Sequence, residues 1–255
     1  MRLARMVPEN VYGSQKRLLW IASHLRPGDR IVDFGCGTGV MVTLPLARLG
    51  FRVVGLDGDE PSVRYGRRLL EAEGFDGRIL CGGLGDLATE PDVIIAAEVL
   101  EHIPRSPLGE VLDQMHRRLK PGGRLLVTVP NGYGWFEAES LLWYRAGLGK
   151  LLEWTLVAAV VPRLKKLLLG VEPEIHLSTL SPSPHVQRFT LESIRALLEA
   201  HGFAVQDAVG SVLACGPFSN LFFTGLGPLM RLNAALGARL PRAAAGFFLC
   251  ATKRS

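Results

Sequence analysis

Asp33-Phe34-Gly35-Cys36-Gly37-Thr38-Gly39 lies between the short apolar run Arg30 to Phe34 and the stretch Val40 to Leu49, which Gly50 closes. The run reads as a buried strand, the glycines as a tight turn, and the following stretch as a helix. Glycines here let the chain turn sharply and let a ligand approach the main chain. Arg52 to Leu56 reads as a second strand that ends at Asp57, 18 residues past Gly39. A carboxylate in that place can accept hydrogen bonds from both hydroxyls of a ribose. A glycine-rich turn with a solvated Asp is the plain alternative. The order of strand, glycines, helix and strand-end acid weighs against it.

The same rhythm extends outward. Ser14 to Leu25 carries Leu18, Leu19, Ile21, Ala22 and Leu25 at helical spacing and stops at Pro27-Gly28. Pro61 to Glu73 and Leu108 to Leu119 read as helices, and Arg78 to Cys81, Asp92 to Ala97 and Arg124 to Val129 as strands. Near-continuous apolar strands alternating with helices indicate a parallel sheet covered on both faces. After Pro130 the alternation breaks. It resumes with a helix over Thr190 to His201, Thr190 as its N-cap, then strands over Phe203 to Val212 and Phe247 to Thr252. The chain reads as one domain over 1–255, with apolar insertions at about 132–186 and 213–245.

Composition agrees with a folded α/β protein. The chain has 255 residues, 48% of them hydrophobic, which excludes a disordered chain and allows a large core without staples. The net charge of +5 comes from 29 basic and 24 acidic residues. The basic residues are mostly Arg and are scattered, so nucleic acid is not an expected partner. Cys36, Cys81, Cys215 and Cys250 form no CxxC pair and read as reduced, buried thiols. Met1 to Glu9 has no apolar leader, and no run reaches the roughly 18 apolar residues of a membrane span. The expected location is the cytoplasm, including the membrane surface. The mean hydropathy of +0.22 is high for such a protein.

A dinucleotide loop has the pattern G-x-G-x-x-G, and Val40 occupies the place of its last glycine. Asp33 puts negative charge where a pyrophosphate would want an open helix N-terminus. It suits the cationic amino group of an amino acid better, which favours S-adenosylmethionine over NAD. The loop resembles that of class I S-adenosylmethionine-dependent methyltransferases. The likeness continues through Val54-Gly55-Leu56-Asp57, Ile94 to His102, Leu119-Lys120-Pro121-Gly122-Gly123 and Thr128-Val129-Pro130-Asn131. It implies a three-layer, Rossmann-like α/β fold with a seven-stranded mixed sheet whose last strand is antiparallel, here with helical insertions. It also implies that Asp33, Gly35, Cys36 and Gly37 cradle the methionine end of the cofactor. Asp57 would hold the ribose, Gly58 would flank the adenine, and Ala97 and Glu98 would sit beside the cofactor. Gly83 stands where the family usually has an acid near the adenine; either Asp86 replaces it after a loop shift, or backbone groups suffice there.

Glu98, Glu101 and His102 stand at i, i+3 and i+4, one face of a helical turn. Two carboxylates and an imidazole can bind a divalent ion such as Mg²⁺. The spacing resembles the metal-binding segment of ubiquinone-biosynthesis O-methyltransferases, the group this chain is most similar to in pattern. It also resembles that of small-RNA terminal 2′-O-methyltransferases. His185 falls where the quinone-type enzymes have a later His. Many class I methyltransferases carry Leu-Glu-His without a metal; there His102 would orient substrate or act as general base. His176 and His185 would then be loop residues.

Trp135 to Gly170 and Phe218 to Arg242 concentrate the apolar excess, with Arg145, Lys150, Arg163, Lys165 and Lys166 along the first. They read as a lid packed on the core, a membrane-surface or lipid-substrate element, or an oligomer contact. The expected activity is methyl transfer to a small or lipophilic acceptor, O-methylation favoured. Two other readings stay open: a methyltransferase-fold subunit that binds without turnover, and an RNA 2′-O-methyltransferase.

Overall fold

The computed structural model describes residues 10–75, 78–170, 178–181 and 184–254; His176 and the first nine residues lie outside them. Seven strands form one sheet: β1 (Arg30–Phe34), β2 (Arg52–Asp57), β3 (Arg78–Cys81), β4 (Val93–Ala97), β5 (Arg124–Pro130), β6 (Phe203–Gly210) and β7 (Gly246–Lys253). Their order is β3-β2-β1-β4-β5-β7-β6. The first five are parallel, and β7 runs antiparallel to both β5 and β6. The expected seven-stranded mixed sheet is present.

Successive strand residues point to opposite faces, which explains why the strands are apolar throughout. Ile94, Ala96, Leu125 and Val127 pack with Leu108, Leu112 and Met115 of α4 (Arg105–Arg118) and with Ile194 and Leu198 of α8 (Leu191–Ala200). Their neighbours Val93, Ile95 and Leu126 pack the other way, against Leu18 and Ile21 of α1 (Ser14–Ser23) and Leu46 of α2 (Thr43–Arg48). On α3 (Glu60–Ala72), Val63 and Leu70 join Leu44 and Ile79 in a smaller cluster. Thr190 caps α8 as expected, its Oγ1 accepting from Ser193 N at 3.1 Å.

Three local expectations shift. The second helix begins at Thr43 rather than Val40, because Val42 is still non-helical at φ −133°. The sixth strand stops at Gly210, since Lys16 Nζ takes the carbonyls of Gly210 and Ser211. Only Cys215 and Cys250 are buried; Cys36 is half-buried and Cys81, on the edge strand β3, is exposed.

Both apolar segments are helical. After β5 come α5 (Trp135–Ser140), a π-turn over Leu141–Arg145, α6 (Leu148–Trp154) and α7 (Val157–Leu169); before β7 come α9 (Pro217–Phe223) and α10 (Gly227–Arg239). The two segments pack on each other. Trp143 and Phe218 meet edge to face at 4.8 Å, and Lys165 Nζ donates to Leu221 O at 2.6 Å. The buried Glu139 carboxylate accepts from Ser219 N at 2.8 Å and from Trp135 Nε1 at 2.6 Å. Trp154, Leu156, Val160, Leu164, Leu167 and Leu168 are all exposed. Among the described residues, no helix is long and apolar enough to cross a membrane.

Candidate cofactor and acceptor site

β1 neighbours both β2 and β4, so the connections leaving β1 and β4 diverge and open a crevice at the carboxyl ends of the strands. The glycine loop lies there. Gly35, Gly37 and Gly39 have φ of 69°, 55° and 75°, a region that β-carbons disfavour. Packing imposes the same requirement: a Cβ on Gly35 would lie 2.6 Å from Val99 Cγ1. Gly35 N and Cys36 N both donate to Leu56 O, at 2.7 and 3.1 Å, which ties the loop to the end of β2.

Asp57 occupies the end of β2. Its Oδ2 accepts from Gly37 N at 2.7 Å and its Oδ1 from Asp59 N at 2.8 Å. The carboxylate therefore joins the glycine loop to the start of α3. Space beside Gly58 is open on the side where a Cβ would project. Asp86 turns back on its own loop, where Oδ2 accepts from Gly83 N at 2.8 Å. Asp33 points into the protein rather than the crevice. It is buried, accepts from Thr43 Oγ1 at 2.6 Å, and burial pushes its pKa up to about 7. Burial likewise raises the Cys36 thiol far above its ordinary range, so it is inert as a nucleophile at neutral pH.

Ala97 ends β4 in register with Thr128. Glu98 follows in the left-handed region at φ 56°, a strained conformation for a non-glycine residue. Its Oε1 accepts from Thr128 Oγ1 at 2.9 Å and lies 3.7 Å from Arg17 Nη2. The single helical turn expected over Glu98 to His102 is therefore not formed. A 3₁₀ turn spans only Leu100–His102, and the φ reversal at Glu98 sends its side chain toward Arg17.

Glu101, His102 and His185 instead converge, each offering a ligand atom within 4.8 Å of the others. Glu98 is not a member of this group. Glu101 is fully buried with neither carboxylate oxygen hydrogen-bonded, and burial, with Glu98 nearby, pushes its pKa up to about 9. His102 Nδ1 lies 3.1 Å from Pro184 O. A carbonyl can only accept, so Nδ1 is the donor there, and Nε2 lies 3.8 Å from Glu101 Oε1. The His102 and His185 rings meet edge to face at 4.9 Å. Burial and the neighbouring His102 hold His185 below its ordinary pKa.

A cavity of about 230 Å³ adjoins Glu98 and His185, lined also by Tyr12, Arg17, Phe136, Ser211, Val212, Cys215 and Phe248. A larger groove of about 510 Å³ lies at the amino ends of β1, β2 and β3, beside Arg30, Arg52 and Arg78, away from the glycine loop. Ligands of open α/β sheets bind outside the carboxyl ends of the strands, so the smaller cavity is the candidate site.

Sequence reasoning missed Arg17, Thr43 and Thr128. Arg17 lies on the polar side of α1, 81 residues from Glu98, and no local pattern marks it. Its side chain is 15% exposed, and its Nε is buried without a hydrogen-bond partner.

A family model for a methyltransferase domain matches residues 12–208. The chain is 32% identical over 135 residues to the ubiquinone biosynthesis O-methyltransferase of Caulobacter vibrioides, covering 50% of this chain and 49% of that protein. The mitochondrial ubiquinone biosynthesis O-methyltransferase of Homo sapiens is 30% identical over 200 residues, 75% of this chain and 45% of that one. The chain thus spans about half the length of the curated relatives it matches. The crystal structure of a SAM-dependent methyltransferase from Methanosarcina mazei shares the fold. Its TM-score is 0.58 at 18% identity, over 92% of this chain and 97% of that one.

Proposed function

The chain belongs to the class I S-adenosylmethionine-dependent methyltransferases, and on that premise we propose that it methylates a hydroxyl of a small lipophilic acceptor. One observation carries this reading: the glycine loop meets the chain just past Glu98, where a Cβ on Gly35 would strike Val99, and Glu98 lines an apolar cavity. A cavity of about 230 Å³ is below the roughly 300 Å³ at which drug-sized sites begin, so it suits one ring rather than a fused system.

In this reading Asp57 receives the ribose hydroxyls with its two remaining lone-pair sites. Gly58 flanks the adenine, with Asp86 at its rim. Gly35, Cys36 and Gly37 present main chain to the methionine end, and Asp33 stiffens the loop from beneath through Thr43. Ala97 and Glu98 close the site from β4, with the Glu98 carboxylate available to the cofactor's ammonium. Arg17, holding an unpaired Nε, receives its carboxylate. Bound S-adenosylmethionine would supply a sulfonium methyl for the acceptor oxygen to take, its own product being the neutral thioether S-adenosylhomocysteine. The acceptor proton passes to His102 Nε2 or to water. Alignment and exclusion of water supply most of the rate.

A divalent cation fits Glu101, His102 and His185, and with two imidazoles in the set a transition-metal ion suits it better than the expected Mg²⁺. A buried carboxylate with no hydrogen-bond donor calls for a positive partner, and two imidazoles face it. Such an ion would supply positive charge that favours the ionised acceptor hydroxyl. His102 then serves as a ligand rather than as the base. The exposed apolar faces of α6 and α7, with Lys150, Arg163 and Lys166 among them, suit a peripheral membrane contact and a lipid-like acceptor.

The test is calorimetric titration with S-adenosylhomocysteine, then transfer of labelled methyl from S-adenosylmethionine to a panel of alkylated catechols. A folded chain that does not bind S-adenosylhomocysteine overturns the reading. Binding without turnover on any acceptor favours a non-catalytic subunit.

A further inference from the structure

The strands that carry the cofactor crevice at their carboxyl ends carry a second concavity at their amino ends. The groove of about 510 Å³ there falls within the roughly 300–1,000 Å³ of small-molecule sites, and methyl transfer makes no use of it. Arg30 is in register with Arg52, and Arg78 with Val54. Paired residues of neighbouring strands share a face, as do residues two apart on one strand. Arg30, Arg52, Val54 and Arg78 therefore all project from one side of the sheet. That side is left open here. The connection from β3 to β4 holds only a 3₁₀ turn, Leu84–Asp86, and Val54 is half-buried in mid-strand although its neighbour Val53 is 5% exposed. Phe51 and Phe75, both half-buried, line the groove from the connections that enter β2 and β3.

Like charges directly opposite one another across strands are destabilising, and this row of guanidiniums has little to offset it. Acids close in the chain are engaged elsewhere: Asp29 with Arg124, Glu73 with Arg48 and Asp92 with Lys120. Among the described residues, no carboxylate pairs with Arg52 or Arg78. Arginine, unlike lysine, sets a planar fork of donors against phosphate oxygens. Adjacent strands stand about 4.8 Å apart and alternate residues about 6.6 Å, so the three charges are spread along a chain of anionic groups rather than gathered on one.

We propose that this groove binds a nucleoside triphosphate, with the phosphates on Arg30, Arg52 and Arg78 and the base against Phe51 and Phe75. β2 runs from Arg52 to Asp57, about 17 Å, so nucleotide and methyl donor occupy opposite ends of the same strand and bind together. The site is independent of what the crevice binds.

Adenosine triphosphate, guanosine triphosphate and inorganic triphosphate, which lacks a base, would be titrated calorimetrically into the full chain with S-adenosylhomocysteine in excess. Saturable binding of a nucleotide is expected, at least about tenfold tighter than inorganic triphosphate. Arg52→Gln and Arg78→Gln should each weaken it by about 10- to 100-fold, the scale of a hydrogen bond to a charged group, and leave S-adenosylhomocysteine affinity within about twofold. Arg52→Lys should weaken nucleotide binding as well, because an ammonium lacks the fork. Without nucleotide, Arg52→Gln should raise Tm by about 1–3 °C by relieving repulsion, whereas loss of a merely structural arginine would lower it. Absence of saturable nucleotide binding overturns the proposal, and so does unchanged affinity in both Gln variants. Inorganic triphosphate that binds as tightly as the nucleotides overturns the nucleotide assignment.

Discussion

Asp57 offers the sharpest test of the cofactor assignment. An ionised carboxylate has about four lone-pair sites. Gly37 N and Asp59 N take two of them, at 2.7 and 2.8 Å, which leaves two for a ribose. Asp57→Ala removes all four at once, so its loss of affinity mixes ribose recognition with loosening of the glycine loop. A double-mutant cycle separates the two. S-adenosylhomocysteine and its 2′-deoxy analogue would each be titrated calorimetrically into the unaltered chain and into Asp57→Ala. One hydrogen bond to a charged acceptor is worth about 1.5–3 kcal/mol, or about 10- to 100-fold in Kd. The unaltered chain should lose that factor on removal of the 2′-hydroxyl, and Asp57→Ala should lose less than about twofold. If the deoxy analogue is penalised equally in both proteins, Asp57 does not touch the ribose, and its role is confined to tying the glycine loop to the start of α3.

Asp33 predicts a pH dependence. Its folded pKa of about 7 lies above the ordinary 3.8, so the folded protein keeps a proton that the unfolded chain releases. Its contribution is full below pH 3.8 and is lost as pH rises toward 7. The stability difference between the unaltered chain and Asp33→Asn should fall by about 4 kcal/mol across that interval, and a flat difference in thermal melts would refute the burial argument. Glu101→Gln should abolish Mn²⁺ binding read by electron paramagnetic resonance and make activity indifferent to EDTA; unaltered protein that binds no ion removes the metal proposal. Leu167→Glu with Leu168→Glu should abolish flotation with anionic phosphatidylglycerol vesicles without lowering Tm, since both side chains are exposed. Equal flotation would refute the membrane contact. Thr190→Ala should cost about 1 kcal/mol of stability through loss of the cap on Ser193 N, measurable by urea denaturation.

The sequence by itself determined the sheet and the position of the glycine loop. Strands such as Ile31-Val32 and Ile94-Ile95-Ala96 are apolar on both faces, which only a doubly covered sheet satisfies, and Gly35, Gly37 and Gly39 mark backbone that side chains disfavour. These signals are local, carried by residues within one element or one turn. The tertiary structure decided where the side chains point. Periodicity places Glu98, Glu101 and His102 on one helical face, but the positive φ at Glu98 breaks that face and turns its carboxylate to Arg17. Asp33 is aimed at Thr43 rather than at the crevice, because alternation along β1 assigns it to the α2 side. Arg17 with Glu98, the pairing of His102 with His185, and the hydrogen bond from Ser181 to Asp59 join residues tens to more than a hundred positions apart. Such contacts are fixed by how layers pack and how insertions fold back, and packing leaves no trace in the spacing of a single segment.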